Sequence, residues 1–155
     1  DVVEVQSELI GRVMDVGLRT SKILTRDNII MIVPNHNFVG DNVINWSYNE
    51  PRTRFYVDVG VAYGSDVRLV ERLLIESAKE QDEVISDPVP FVLFRDFGNS
   101  SLDFRLYFWV EEVFYVELLK SKIRFSIDEK FRANGVQIPF PQRDLHLKSG
   151  WEKLR

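Results

Sequence analysis

Between Leu102 and Phe131 the apolar residues change period from two to four. Leu102, Phe104, Leu106, Phe108 and Val110 alternate over nine residues, which places all five on one face of an extended strand. Leu119, Ile123, Ile127 and Phe131 then recur every fourth residue, the stripe of an amphipathic helix. The C-terminal two thirds of the chain therefore carries strands and helices in alternation.

The same reading extends to both sides. Phe55, Val57, Val59 and Val61 share one strand face, with Arg54, Tyr56 and Asp58 on the other. Ser65 reads as an N-cap with Asp66 in the first helical turn, where the helix dipole favours negative charge. Val67, Val70, Leu74 and Ala78 fall at helical spacing, so a helix is expected from Asp66 to about Gln81. Pro88 and Pro90 end the connection that follows, Phe91 to Asp96 reads as a strand, and Phe97 to Ser100 as a turn. Asn134-Gly135 is the left-handed end of the second helix, and Val136, Ile138 and Phe140 alternate as a last strand. The order is β-α-β-β-α-β, the split ferredoxin-like arrangement. Asp103, Arg105, Tyr107 and Trp109 point away from the apolar face, and Tyr107 and Trp109 suit a subunit contact, where aromatics are enriched. Pro139, Pro141, Leu145 and Leu147 describe an extended tail detached from the lobe, and from Gly150 the chain reads as frayed or as the remnant of a longer tail.

Residues 1 to 48 read differently, as short strands with tight turns. Val3 and Val5 alternate, Ile10 to Val16 is extended, and Gly11 and Gly17 mark bends. Arg19 to Thr25 has the β-branched content of a third strand, and Asp27-Asn28 reads as a two-residue hairpin turn. Ile29 to Val33 is a run of five apolar residues, enough for a strand buried on both faces. Pro34 stops it, having no amide proton for a ladder, and Asn35 and Asn37 favour a turn before Val43 to Trp46 resumes as a strand. A small β barrel or half-barrel is expected. The polar, proline-containing stretch Tyr48 to Arg52 is the boundary, giving an α+β chain of three parts: residues 1–50, 51–140 and 141–155.

Gly11-Arg12-Val13, Gly17-Leu18-Arg19-Thr20, Thr25-Arg26-Asp27, Ile32-Val33-Pro34-Asn35 and Val43-Ile44-Asn45-Trp46-Ser47 together resemble the β domain of the small-conductance mechanosensitive channel (MscS-type) family. Gly11, Arg19, Asp27, Pro34, Asn35 and Asn45 carry that signature, as structural positions. The family favours Asp-Gly at the hairpin where this chain has Asp27-Asn28, and asparagine also tolerates the left-handed conformation. The resemblance implies an Sm-like β lobe, a ferredoxin-like lobe, and a tail strand that joins a parallel barrel on a ring axis. It implies a homo-oligomeric ring of seven on the cytoplasmic side of the bacterial inner membrane, attached through helices preceding Asp1. The partners implied are permeating ions and small osmolytes, released under tension in osmotic downshock, with no cofactor and no enzymatic reaction.

Composition narrows the alternatives. A net charge of −4 argues against a general nucleic-acid binder, and the absence of cysteine removes disulfides and thiolate metal sites. No apolar run approaches the roughly 20 residues that cross a bilayer. The chain begins with Asp1 in mid-strand and reads as an excised piece. His36 and His146 lie far apart with no second ligand at metal spacing, and His36 sits in a turn. Glu111 and Glu112 are adjacent on a strand end and point to opposite faces, so they do not share a proton. Gly60, Gly64 and Gly98 lack the spacing of a phosphate loop, and there is no Gly-x-Ser-x-Gly elbow. The aromatic stretch Phe104 to Trp109 could stack bases but has little basic support. The competing readings are a stand-alone soluble ligand- or protein-binding module and, lowest, a soluble enzyme.

Overall fold

The structure is a computed structural model that describes residues 1–5, 9–40, 42–46 and 52–146. It contains two antiparallel sheets. The first is built from β1 (Val2–Val5), β2 (Leu9–Val16), β3 (Thr20–Thr25), β4 (Ile30–Pro34) and β5 (Val43–Asn45), in the order β4-β3-β2-β1-β5. The second is built from β6 (Thr53–Val61), β7 (Phe91–Phe97) and β8 (Leu102–Val110), in the order β6-β8-β7, with helices α2 (Val67–Lys79) and α3 (Val116–Ala133). A single helical turn, α1 (Asn37–Gly40), joins β4 to β5 where only a tight turn was expected.

The five-stranded sheet closes around very little. Val3 of β1, Ile23 of β3 and Val33 of β4 form its buried cluster, with Val13, Phe38 and Val43 packed against them. Five flat strands would span about 19 Å, four gaps of roughly 4.8 Å. Side chains from the two edge strands β4 and β5 reach one cluster, so the sheet is curled around it. The expectation that β4 is buried on both faces is wrong. Ile30, Met31 and Ile32 are 60%, 41% and 66% exposed, and Val33 alone is buried. The reason is position: β4 is an edge strand, and nothing among the described residues covers its outer face.

The β3–β4 hairpin also differs. Asn28 N donates to Thr25 O at 3.1 Å and Thr25 N to Ile29 O at 2.9 Å, so the loop has three residues, Arg26 to Asn28. Asn28 takes the left-handed conformation, φ 61°, that closes such a loop.

In the second sheet the alternation holds throughout. Leu102, Phe104, Leu106, Phe108 and Val110 are all buried beneath the helices, with Val57 and Val61 of β6, Val70 and Leu74 of α2, and Leu119, Ile123, Ile127 and Phe131 of α3. Sixteen buried residues make this the main core. The α2 N-cap is Asp66, one residue later than expected, because its carboxylate accepts from Arg68 N and Leu69 N; the Ser65 hydroxyl instead donates to Ala62 O. Gly135 ends α3 with φ 68°, and Val136 N returns to Phe131 O at 2.9 Å, a Schellman-type closure. The last expected strand does not form. Residues 136–146 have no regular structure, and one bond, Ala62 N to Gln137 O at 2.8 Å, ties them to the β6 edge. Pro139 and Pro141 have no amide proton with which to extend that ladder. Leu147 and the rest of the tail, Ser47, and most of the boundary stretch from Tyr48 lie outside the described residues.

Candidate functional site

Of the six signature residues, Gly11, Arg19, Pro34 and Asn35 gather around β3, whereas Asp27 and Asn45 stand apart. Gly11 lies on β2 opposite Val3 and Thr25. A Cβ there would sit 2.2 Å from Ile23 Cγ2 and 2.9 Å from Leu24 O, so only glycine fits the curl. Pro34 is the last residue of β4, opposite Thr20. Asn35 follows it as a hub: its backbone N donates to Arg19 O at 2.8 Å, its Nδ2 to Gly17 O at 2.9 Å, and its Oδ1 accepts from the buried Ser21 hydroxyl at 2.8 Å. One amide thus fixes the β2–β3 turn against the end of β4. Asp27 is an exposed loop residue of the β3–β4 hairpin. Asn45 lies on β5 opposite Val3, its Nδ2 3.4 Å from Asp1 Oδ2.

The outer face of the three-stranded sheet, turned away from the helices, carries an organised set of polar and aromatic side chains. Register places Arg54 opposite Trp109, Tyr56 opposite Tyr107, and Asp58 opposite Arg105. On the other side, Phe91 lies opposite Tyr107. The rings are engaged with one another: Phe91 stacks on Tyr107 at 5.0 Å, Arg54 lies 4.9 Å over Tyr107, and Arg105 lies 3.7 Å over Tyr56. Arg105 also donates to both Asp58 carboxylate oxygens from Nε and Nη2, with Arg95 at 3.9 Å. The Arg105 hydrogen bond holds the Asp58 carboxyl below its ordinary range, and the same pairing raises Arg105. Arg105 over Tyr56, and Arg54 and Phe91 against Tyr107, occupy ring surface that a base-stacking platform would need.

Catalytic chemistry finds no constellation among the described residues. His36 and His146 are exposed, and no group of three His, Cys, Asp or Glu side chains could hold a metal ion. Glu112 is engaged with Arg12 at 3.0 Å. An open apolar notch of about 330 Å³, lined by Val13, Val16, Phe38 and Val39, lies beside the Asn35 hub.

Two family descriptions match the chain in tandem: "Mechanosensitive ion channel, beta-domain" over residues 1–48 and "Mechanosensitive ion channel MscS, C-terminal" over residues 55–138. The chain belongs to the MscS family of mechanosensitive ion channels. An MscS family protein of Haemophilus influenzae is 37% identical over 149 residues, covering 96% of this chain and 13% of its own length. Mechanosensitive channel MscK of Escherichia coli is 36% identical over 137 residues, covering 88% of this chain and 12% of its own. The chain thus spans about an eighth of these two relatives. The crystal structure of Helicobacter pylori MscS in its closed state superposes with a TM-score of 0.82 at 27% identity, over 97% of this chain and 58% of that one. Arabidopsis thaliana MSL1, at 15% identity and a TM-score of 0.63 over 90% of this chain and 52% of that one, shares the fold.

In an MscS family chain the apolar surface left open is the feature to explain. Besides β4, Phe125 on α3 is 75% exposed, and Phe140 and Leu145 of the tail are 84% and 85% exposed. No helix among the described residues is long and apolar enough to cross a membrane. The contacts that sequence reasoning missed are Arg12 with Glu112, 100 positions apart, and Arg26 with the carbonyls of Val113 and Phe114, 87 and 88 apart; alternation on β2 places Arg12 on a face but gives no partner.

Proposed function

We propose that this chain is the cytoplasmic vestibule part of a mechanosensitive channel that releases ions and small osmolytes under membrane tension during osmotic downshock. Residues 1–50 are its Sm-like lobe, 51–140 its ferredoxin-like lobe, and 141–155 a tail that meets other copies on the axis of a ring of seven. The ring lies on the cytoplasmic side of the bacterial inner membrane, joined to it by helices that precede Asp1 in the parent protein. Gly11, Arg19, Asp27, Pro34, Asn35 and Asn45 set the curl and turns of the first lobe and take no part in chemistry. The observation that carries this reading is the tandem match of both family segments on a chain whose β4 and tail leave large apolar side chains uncovered. Such an edge calls for cover, and further copies of the chain supply it. Tyr107 and Trp109 on the outer sheet face suit the same purpose. Tension biases a two-state equilibrium in the membrane part, and the ring stabilises one or both states.

The test is expression of the full-length parent protein in a bacterial host stripped of its own mechanosensitive channels. Survival of sudden dilution and tension-activated currents in excised patches are expected. Correctly inserted protein that gives neither overturns the channel reading. Mass measurement of the solubilised particle at seven copies supports the ring, and a monomer overturns it.

A further inference from the structure

The first turn of α3 is held from the other sheet. Its N-cap, Tyr115, makes no side-chain capping bond. The residues before it are instead gripped by two arginines of the five-stranded sheet. Arg26, in the β3–β4 loop, donates from Nε to Phe114 O at 2.9 Å and from Nη2 toward Val113 O at 3.5 Å. Arg12, on β2, donates from Nη2 to Glu112 Oε2 at 3.0 Å, and its guanidinium lies 5.1 Å over the Phe114 ring. The second oxygen of Glu112 accepts from Phe114 N at 3.0 Å, so one carboxylate joins the arginine to the turn. Val113 and Phe114 are 3% and 4% exposed. Val113 O also accepts from Val116 N at 3.2 Å, the first bond of the helical turn.

The placement runs against simple electrostatics, because a cation beside a helix N-terminus meets the positive end of the dipole. Two carbonyl acceptors and Glu112 offset that cost, and charge-assisted bonds to partly buried acceptors are stronger than neutral ones. Arg12 pairs with Leu24 across the β2–β3 ladder, and Arg26 follows Leu24 by two residues, so both come from one patch of the sheet.

We propose that Arg12 and Arg26 form a latch that binds the start of α3 to the five-stranded sheet, so that hairpin β3–β4 and helix α3 open and move as one unit. A displacement of the first sheet is then carried to the second core through Val113 to Val116, without passing along the connection from β5 to β6. The proposal stands independently of what the parent protein conducts.

Hydrogen–deuterium exchange on the full 155-residue chain tests it. Arg26→Ala is expected to raise exchange about tenfold at two places that share no backbone bond. These are the amides of Val116, Leu118 and Leu119 at the start of α3, and those of Thr25 and Asn28 in the hairpin. The Val70 amide in α2 stays unchanged. Arg26→Lys keeps the charge but spans at most one carbonyl, so it raises both sets by less. Glu112→Gln, which keeps an acceptor for Phe114 N, raises both sets only while Arg12 is present. Faster exchange confined to the hairpin, or to α3, overturns the latch. If Arg26→Ala loosens α2 as well, Arg26→Lys and the Arg12→Ala, Glu112→Gln pair decide in the same way: coupled changes support the latch and independent ones overturn it.

Discussion

Arg105 lays two hydrogen bonds on Asp58 across the β6–β8 ladder, Nε to Oδ1 at 2.5 Å and Nη2 to Oδ2 at 2.7 Å, with its guanidinium 3.7 Å from the centre of the Tyr56 ring. The planar fork and the stack need the same group, and lysine can supply neither. The Asp58 side chain is about half exposed, so solvent screening keeps the pair modest. Asp58→Asn is expected to cost about 0.5–1 kcal/mol in urea denaturation. Arg105→Lys should also destabilise, since it loses the two-pronged bond to Asp58 and uncovers Tyr56. Equal stability of both variants and the parent chain would show the pair to be incidental.

Acid should destabilise the chain within a defined window. Asp58 is held low by the Arg105 hydrogen bond, Glu80 by Lys130 and Ser126, and Glu83 by Lys122. All three bind a proton less readily folded than unfolded, so their stabilisation is complete above the ordinary carboxylate range. It is lost as pH falls through the depressed values. The melting temperature is expected to stay level from pH 7 to about pH 5 and then to fall, with a shallower fall for Glu80→Gln. A level curve down to pH 2 would contradict the assignment.

Gly11→Ala tests the curl of the first sheet. The new methyl would meet Ile23 Cγ2 at 2.2 Å and a backbone carbonyl, and Ile23 is fully buried and cannot swing away. A loss of about 1–3 kcal/mol is expected from overpacking. Gly40, where a Cβ meets nothing within 4 Å, serves as the control: Gly40→Ala should leave the denaturation midpoint nearly unchanged.

The Asn35 hub should be asymmetric under mutation. Asn35→Ala strands the buried Ser21 hydroxyl and gives up the exposed bond to the Gly17 carbonyl, at about 1–3 kcal/mol. Ser21→Ala removes a hydroxyl and leaves Asn35 two of its three bonds, so it should cost clearly less. Denaturation of both single variants and the double decides, and additivity would mean the two side chains are not coupled.

Much of the second core was legible because its signal is local. Each apolar position of the β8 alternation and the α3 stripe is buried, and the Asn134-Gly135 stop lies at the end of the helix. Where the reading failed, the missing information was not local. A run such as Ile29 to Val33 has the same composition whether its cover comes from its own chain or from another, so burial of β4 on both faces could not be read from it. The alternation of Val136, Ile138 and Phe140 was outweighed by Pro139 and Pro141, whose absent amide protons forbid the ladder. The loop after Thr25 gained a residue because Asn28 holds a positive φ that a two-residue count did not place. Arg26 and Phe114 meet across 88 positions, and neither residue's neighbours in sequence announce the other.

The edge of β4, uncovered among the described residues, also has a consequence in solution. Its outer ladder groups and the side chains of Ile30 and Ile32 form a template to which any extended segment can add, including the same strand of another molecule. Purified by itself, the chain is therefore expected to associate through this five-residue strand as its concentration rises, however well the second core is packed.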